Sequence, residues 1–371
     1  MKKIIFGIAL GCLALLGIAA GNTDETTTLK AGFSTGDLNV ASINALSFGP
    51  EGILFIGDSK NAMIYALDTK DATKKAKGAQ LNMGDFDTKV AASLGTTVDK
   101  IRINDMAVNP LSKQVYFSVN IMDGTPVLLR LNGESIENVP LTNASHSKIA
   151  LSNAIAKDAK DRRGRSRRVW AISDLKYHDG TVMVSGLSNK EFSSTFRSIP
   201  FPFKGNQEYA SLEIYHAAHG QFETHAPIKT FDVITMENKD YLMASYTCTP
   251  LVLFPMDDLK EGKHLKGRTV AELGAGNSPL DMISFEKEGK PYFVMSNTNR
   301  PVMRMDYNAI ANFKSSLTEP VKGFVATGVE YVSLPMVNVL QLDNLDAENV
   351  VYLQRTSTGN LVLRSRPTKW M

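Results

Sequence analysis

Cysteine is almost missing from this chain: 371 residues hold two. One of them, Cys12, lies in the apolar run from Ile4 to Ala20, which follows Met1, Lys2 and Lys3 and precedes the polar stretch GNTDETTT. A charged start, an apolar centre and small residues at Ala19 to Gly21 make the pattern of a cleaved secretory leader over residues 1–21. The mature chain is therefore expected outside the cytoplasm, periplasmic or released, without a transmembrane span. Only Cys248 then remains, and a single thiol excludes an internal disulfide. No C-x-x-C-H is present, so covalent haem c is not expected. A phosphate-cradling glycine loop is also lacking, which argues against a nucleotide cofactor.

Excess charge is the next absence. The formal net charge is +3 and falls to about +1 when the two leader lysines go, too little for general attraction to nucleic acid or an anionic surface. Nucleic acid is not an expected partner. The one strongly basic run, KDRRGRSRR at Lys160 to Arg168, reads as a solvated loop.

What is present is a degenerate repeat. INALSFGPEGILFIGDSKNAMIYALDT from Ile43 is strand, Gly-Pro turn, strand, short polar turn, strand, and five weaker copies begin at Ile103, Ile172, Thr230, Pro279 and Asn338. Aligning one position per first strand selects Ala45, Asp105, Asp174, Asp232, Asp281 and Val339, at intervals of 49 to 69 residues. Strand-rich units at that spacing predict the blades of a β-propeller, because one unit cannot bury both its faces alone. The expectation is an all-β, six-bladed propeller over residues 22–371 as a single domain, with seven blades as the alternative if Asn132 to Arg168 holds part of another. Asp87 to Leu94, followed by Gly95, predicts a short helix capping the first blade.

FGPEGILFIGDSKNAMIYALDT resembles a blade of the secreted NHL-type and related propellers, and weaker likeness runs from about Leu29 to Pro367. The resemblance implies a central channel, a fourth strand per blade and ring closure, with Thr26 to Gly32 expected as the outer strand of the last blade. It carries no catalytic residues across, since such propellers host unrelated functions. Tryptophan occurs only at positions 170 and 370, which speaks against the Trp-rich repeats of quinone-binding eight-bladed propellers.

Chemistry concentrates in Tyr215 to Thr230, YHAAHGQFETHAPIKT, which holds His216, His219 and His225, three of six histidines, with Glu223 among them. It links the outer strand of the third unit to the inner strand of the fourth, and so runs over the same rim as the turn Tyr246 to Pro250, which carries Cys248. The three histidines are candidate metal ligands; Tyr215, Glu223, Tyr246, Cys248, Asn297 and Arg300 are candidate ligand-binding groups on that rim. Asp105, Asp174, Asp232 and Asp281 stand at inner-strand starts, where they either ring a cation at the channel mouth or accept backbone N–H bonds that tighten the strand entries. Imidazoles favour zinc or copper, carboxylates calcium. Two classes of function follow. One is an exported binding propeller whose polar rim takes a small molecule, glycan or partner protein, with or without a metal. The other is a metal-dependent extracytoplasmic enzyme, either a hydrolase of lactonase type or a copper oxidase using Cys248 with Tyr215 or Tyr246.

Overall fold

The computed structural model describes residues 29–371; the expected leader lies outside them. Six sheets stand round one axis as a six-bladed β-propeller. The inner strands are Ala45–Phe48, Ile101–Val108, Asp174–His178, Ile228–Met236, Pro279–Lys287 and Val339–Asp346, and each pairs antiparallel with the strand that follows it. Short turns dictate this meander, because the two to six residues between the first three strands of each blade can join only antiparallel neighbours.

Ring order departs from chain order. Inner strands touch in the order first, third, fourth, fifth, sixth, second and back to the first. Six apolar clusters repeat that order, one in each gap between neighbours: Phe55 with Leu175 joins the first and third blades, and Phe117 with Leu353 joins the second and sixth. Each fully buried side chain of this size contributes about 1.5–3 kcal/mol relative to exposure, so these seams carry most of the stabilisation.

Two short strands explain the swap. Asn82–Met83, between the first and second units, pairs with Leu361–Pro367 as the fourth strand of the sixth blade. Ala144–Ala150, after the second unit, returns to pair with Met63–Asp68 as the fourth strand of the first. The chain thus steps back to build the second blade between the sixth and first, then steps over the first to begin the third. The expected closing segment, 26–32, does not supply the last blade's outer strand. Its described part, Leu29–Gly32, is a turn, and Ser34–Gly36 beyond it extends the first sheet through Ala144–Ala150. The segment 132–168 holds no seventh blade but the outer strands Ser135–Asn138 and Ala144–Ala150. The predicted helix occurs as Phe86–Ser93, with Asp85 rather than Asp87 at its N-cap. Phe86 and Val90 pack it into the seam of the second and sixth blades, not over the first. No helix among the described residues is long and apolar enough to cross a membrane.

Candidate metal centre and channel

The outer strand of the third blade, Glu208–His216, ends on His216, which is 2% exposed. Ala217 to Gly220 turn the chain, with Gly220 at φ 64, and Gln221–Glu223 folds back so that His216 pairs with Gln221 and Ile214 with Glu223. This tight hairpin brings the carboxylate against both rings. Glu223 Oε2 lies 3.0 Å from His216 Nδ1 and Oε1 lies 2.6 Å from His219 Nδ1, and the ring centroids are 3.8 Å apart. Burial opposes ionisation of Glu223, but the bonds from His216 and His219 outweigh it and hold the carboxyl down at about 2. With each Nδ1–H donating to that carboxylate, both imidazoles keep Nε2 as a free lone pair. The same arrangement orients metal-ligating histidines.

Cys248 reaches this place from the next blade. The turn after Lys239–Tyr246 sets Cys248 at φ 65 and Thr249 at φ 63, two successive left-handed residues without glycine. For β-branched Thr249 that conformation is strained. It is held by Cys248 N–H donating to Asn277 O at 2.8 Å, Thr249 N–H to Tyr246 O at 2.9 Å and Thr249 Oγ1 to Gly274 O at 3.0 Å. One ring nitrogen each of His216 and His219 and the Cys248 sulfur lie within 4.8 Å of one another. His216, His219 and Cys248, predicted to share a rim, therefore lie together in space.

Sequence reasoning missed Glu272. It ends the fourth blade's outer strand, Arg268–Glu272, is fully buried, and pairs in register with Pro250 beside the Cys248 turn. Its Oε2 accepts Ala218 N–H at 3.2 Å and stands 3.9 Å from His216 Nε2. Among the described residues neither His216 Nε2 nor Glu272 Oε1 has a hydrogen-bond partner. The only signal in the sequence was a lone carboxylate inside the apolar run TVAEL.

The other candidates lie apart. His225 is exposed, with Nδ1 3.2 Å from Ser193 Oγ, and does not join the cluster. Tyr215 packs edge-on against Phe222. Tyr246 is buried in the seam of the third and fourth blades, where burial pushes its phenol far up, the reverse of what a metal-bound phenolate needs. Asn297 accepts from Asn277 Nδ2 at 2.8 Å, and Arg300 donates to Phe324 O at 2.8 Å; both brace turns. Residues 32–36 spell G-x-S-x-G, but Ser34–Gly36 is an edge strand rather than a strand-to-helix turn, so they form no nucleophile elbow.

The aspartates line the channel. Asp105, Asp174 and Asp281 pair opposite Ser118, Ser185 and Ser296, one level of the barrel of inner strands. Asp232 and Asp343 sit two residues beyond the equivalent positions, Thr230 and Gln341, so the alignment at Asp232 and Val339 is two residues out in each of those blades. One oxygen of each carboxylate accepts the N–H of the next residue in its own strand. The other accepts from the neighbouring blade: Asp105 from Leu46 N–H at 2.7 Å, Asp343 from Val108 at 2.7 Å, Asp281 from Leu342 at 2.9 Å, Asp174 from Phe231 at 3.1 Å, and Asp232 from Ser284 Oγ–H. Lys176 Nζ donates to Asp232 at 2.6 Å. Burial raises Asp174 and Asp343 to about 6 and, with repulsion between neighbours, Asp105 and Asp281 well above the ordinary range. Beyond this level the channel widens to a cavity of about 540 Å³ among the far ends of the inner strands, on the face away from the histidine hairpin.

No protein-family profile matches the chain, and no curated protein does. Solved structures give distant likeness. A putative oxidoreductase (glucose dehydrogenase) from Thermus thermophilus has 11% identity and TM-score 0.36, over 90% of this chain and 100% of the other. YCF48 from Cyanidioschyzon merolae has 10% identity and TM-score 0.35, over 90% and 99%. The PQQ-bound aldose sugar dehydrogenase from Streptomyces coelicolor has 10% identity and TM-score 0.31, over 90% and 98%. At such distances none of them bears on the chemistry of this chain, which stands on its own residues.

Proposed function

We propose that the protein is an exported propeller that binds a transition-metal ion, zinc foremost, through His216, His219 and Cys248. The observation that carries this reading is the convergence of two ring nitrogens and a thiol within 4.8 Å, with one carboxylate on the Nδ1 of both rings. Two imidazoles and a thiolate are a borderline-soft donor set that suits zinc or copper and is wrong for calcium or magnesium. Export is supported by the charged, apolar and small-residue pattern of the first 21 residues. Loss of the leader with Cys12 would leave Cys248 without a partner inside the mature chain, and metal ligation gives that thiolate a role.

The test is elemental analysis of the mature protein purified without chelator or affinity metal, beside a His216→Ala/His219→Ala variant and a Cys248→Ser variant. The expected result is near-stoichiometric zinc in the wild type and loss in both variants. Copper would keep the site and change the ion. No bound metal, before or after reconstitution with excess zinc, would overturn the reading.

A further inference from the structure

We infer that Glu272 is a fourth protein ligand, so that the centre is a closed four-coordinate site that clamps the third blade to the fourth rather than an open catalytic metal. The inference rests on the metal reading above and concerns what fills the last position. A buried carboxylate without a cation or full hydrogen bonding is costly, and Glu272 is fully buried with Oε1 unpartnered among the described residues. Facing it is the equally orphaned Nε2 of His216, itself 2% exposed. Glu272 reaches no nearer to it than Oε2, the oxygen that accepts Ala218 N–H, at 3.9 Å, too long for a hydrogen bond. Around a tetrahedral zinc with Zn–N and Zn–O near 2.0–2.2 Å and Zn–S near 2.3 Å, ligand atoms stand roughly 3.3–3.8 Å apart. At 3.9 Å the Glu272–His216 gap is wider than that, and Glu272 stands outside the 4.8 Å group of the other three ligands, so ligation draws its carboxylate inward by about half an ångström or more. The register of Pro250 with Glu272 sets Glu272 next to the Cys248 turn.

Charge agrees. A divalent ion with one thiolate, one carboxylate and two neutral imidazoles has no net charge, which suits the buried His216 and Glu272, while the extra negative charge of Glu223 lies toward the exposed His219. Topology agrees as well. His216 and His219 follow the outer strand of the third blade, while Cys248 and Glu272 belong to the fourth, so one ion cross-links two blades already joined there by Thr269 Oγ1 donating to Tyr215 O at 2.8 Å. With four protein ligands, no coordination position is left for water or substrate, which separates this centre from one where Glu272 stands back as general base to a metal-bound water.

Cobalt substitution tests this without activity. In the reconstituted wild type, Co(II) should give the intense d–d bands of a tetrahedral thiolate centre, with a sulfur charge-transfer band that Cys248→Ser removes, and azide or cyanide should leave the spectrum unchanged. In Glu272→Gln, zinc affinity measured against a chromophoric chelator should fall at least tenfold, and azide should now alter the cobalt spectrum. Azide response in the wild type, or a Glu272→Gln protein with unchanged affinity and spectrum, would overturn the assignment while leaving a metal at the three other ligands. Failure of the wild type to take up any metal would overturn both. The azide titration uses the unaltered protein, so a folding defect in the variant does not decide the matter.

Discussion

The channel aspartates should make the fold less stable as pH rises from about 4 to about 6. Asp174 and Asp343 are raised to about 6 by burial, against the attraction of Lys176 and the N–H bonds they accept. In the unfolded chain an aspartate titrates near 3.9, so between about 4 and 6 the unfolded chain has lost these protons while the folded one keeps them. Stability then falls with pH across that window and is level above it. About two pH units at ~1.4 kcal/mol each sets an upper limit of about 3 kcal/mol per residue, and channel water reduces it to roughly half. The pair should therefore cost the fold about 3 kcal/mol between pH 4 and pH 7, with Asp105 and Asp281 adding in the same direction. Urea unfolding at half-unit steps from pH 4.5 to 8, on wild type and on Asp174→Asn/Asp343→Asn, isolates the effect from other titrating groups. The variant should be weaker overall by about 1–3 kcal/mol per site, because an amide accepts through one oxygen and leaves one of the two N–H donors unpaired. Its pH slope should be shallower than that of the wild type. An equal slope in the two proteins, or a wild-type stability that the aspartates raise between pH 5 and 7, would refute the reasoning.

Glu223→Gln should weaken metal affinity by about 10–100-fold while the protein stays folded, because an amide cannot accept both Nδ1–H bonds as a carboxylate does; chelator competition reads it directly. Arg197 is fully buried, donates to Ser152 O at 3.1 Å and has two nitrogens without partners among the described residues, so burial pulls its guanidinium down to about 10. Arg197→Met should leave the urea midpoint unchanged or raise stability by about 1 kcal/mol, and a loss above 2 kcal/mol would reveal an interaction that this geometry lacks. Gly186→Ala sets a Cβ against the Ala171 carbonyl oxygen and should cost about 2 kcal/mol or more by thermal melt, unlike Gly164→Ala, where the added carbon meets open space and only the φ of 75 opposes it.

The blades were legible because strand-turn-strand patterning is local. FGPEG and the Gly and Asn turns mark each hairpin, and the alternation between them marks each strand. Ring order was not legible, because it is decided by Asn82–Met83 and Ala144–Ala150, which are short and lie in segments that read as interruptions. Their edge pairing comes from whichever blade the chain reaches, a tertiary fact with no periodic trace. The same register shift precedes the channel position in the second, fourth, fifth and sixth blades, so it is not what misled the alignment; in the fourth and sixth blades Thr230 and Gln341 hold that position and the aspartate stands two residues further on. Among the site residues, His216, His219 and Cys248 could be brought together from strand order alone. His225 could not be separated from them, since a two-residue shift past Glu223 carries it off the hairpin.

The two polar systems then divide the work of the molecule. Round the channel each carboxylate spends one oxygen on its own strand and the other on the next blade, in the direction first to third to fourth to fifth to sixth to second; Ser47 Oγ, accepting Tyr177 N–H at 3.0 Å, completes the circuit. These groups are satisfied by the protein itself, their oxygens accepting from backbone N–H groups and, at Asp232, also from the Ser284 hydroxyl and Lys176. They hold together a ring whose blades are out of chain order, which no continuous strand order could do. At the seam of the third and fourth blades the pattern is reversed: among the described residues His216 Nε2 and Glu272 Oε1 are buried without partners, and His216 stands within reach of the Cys248 thiol. Satisfied polar groups describe closure, and unsatisfied ones describe a place for something else, so the metal we propose is placed at the seam and not in the channel, where the aspartates first drew attention.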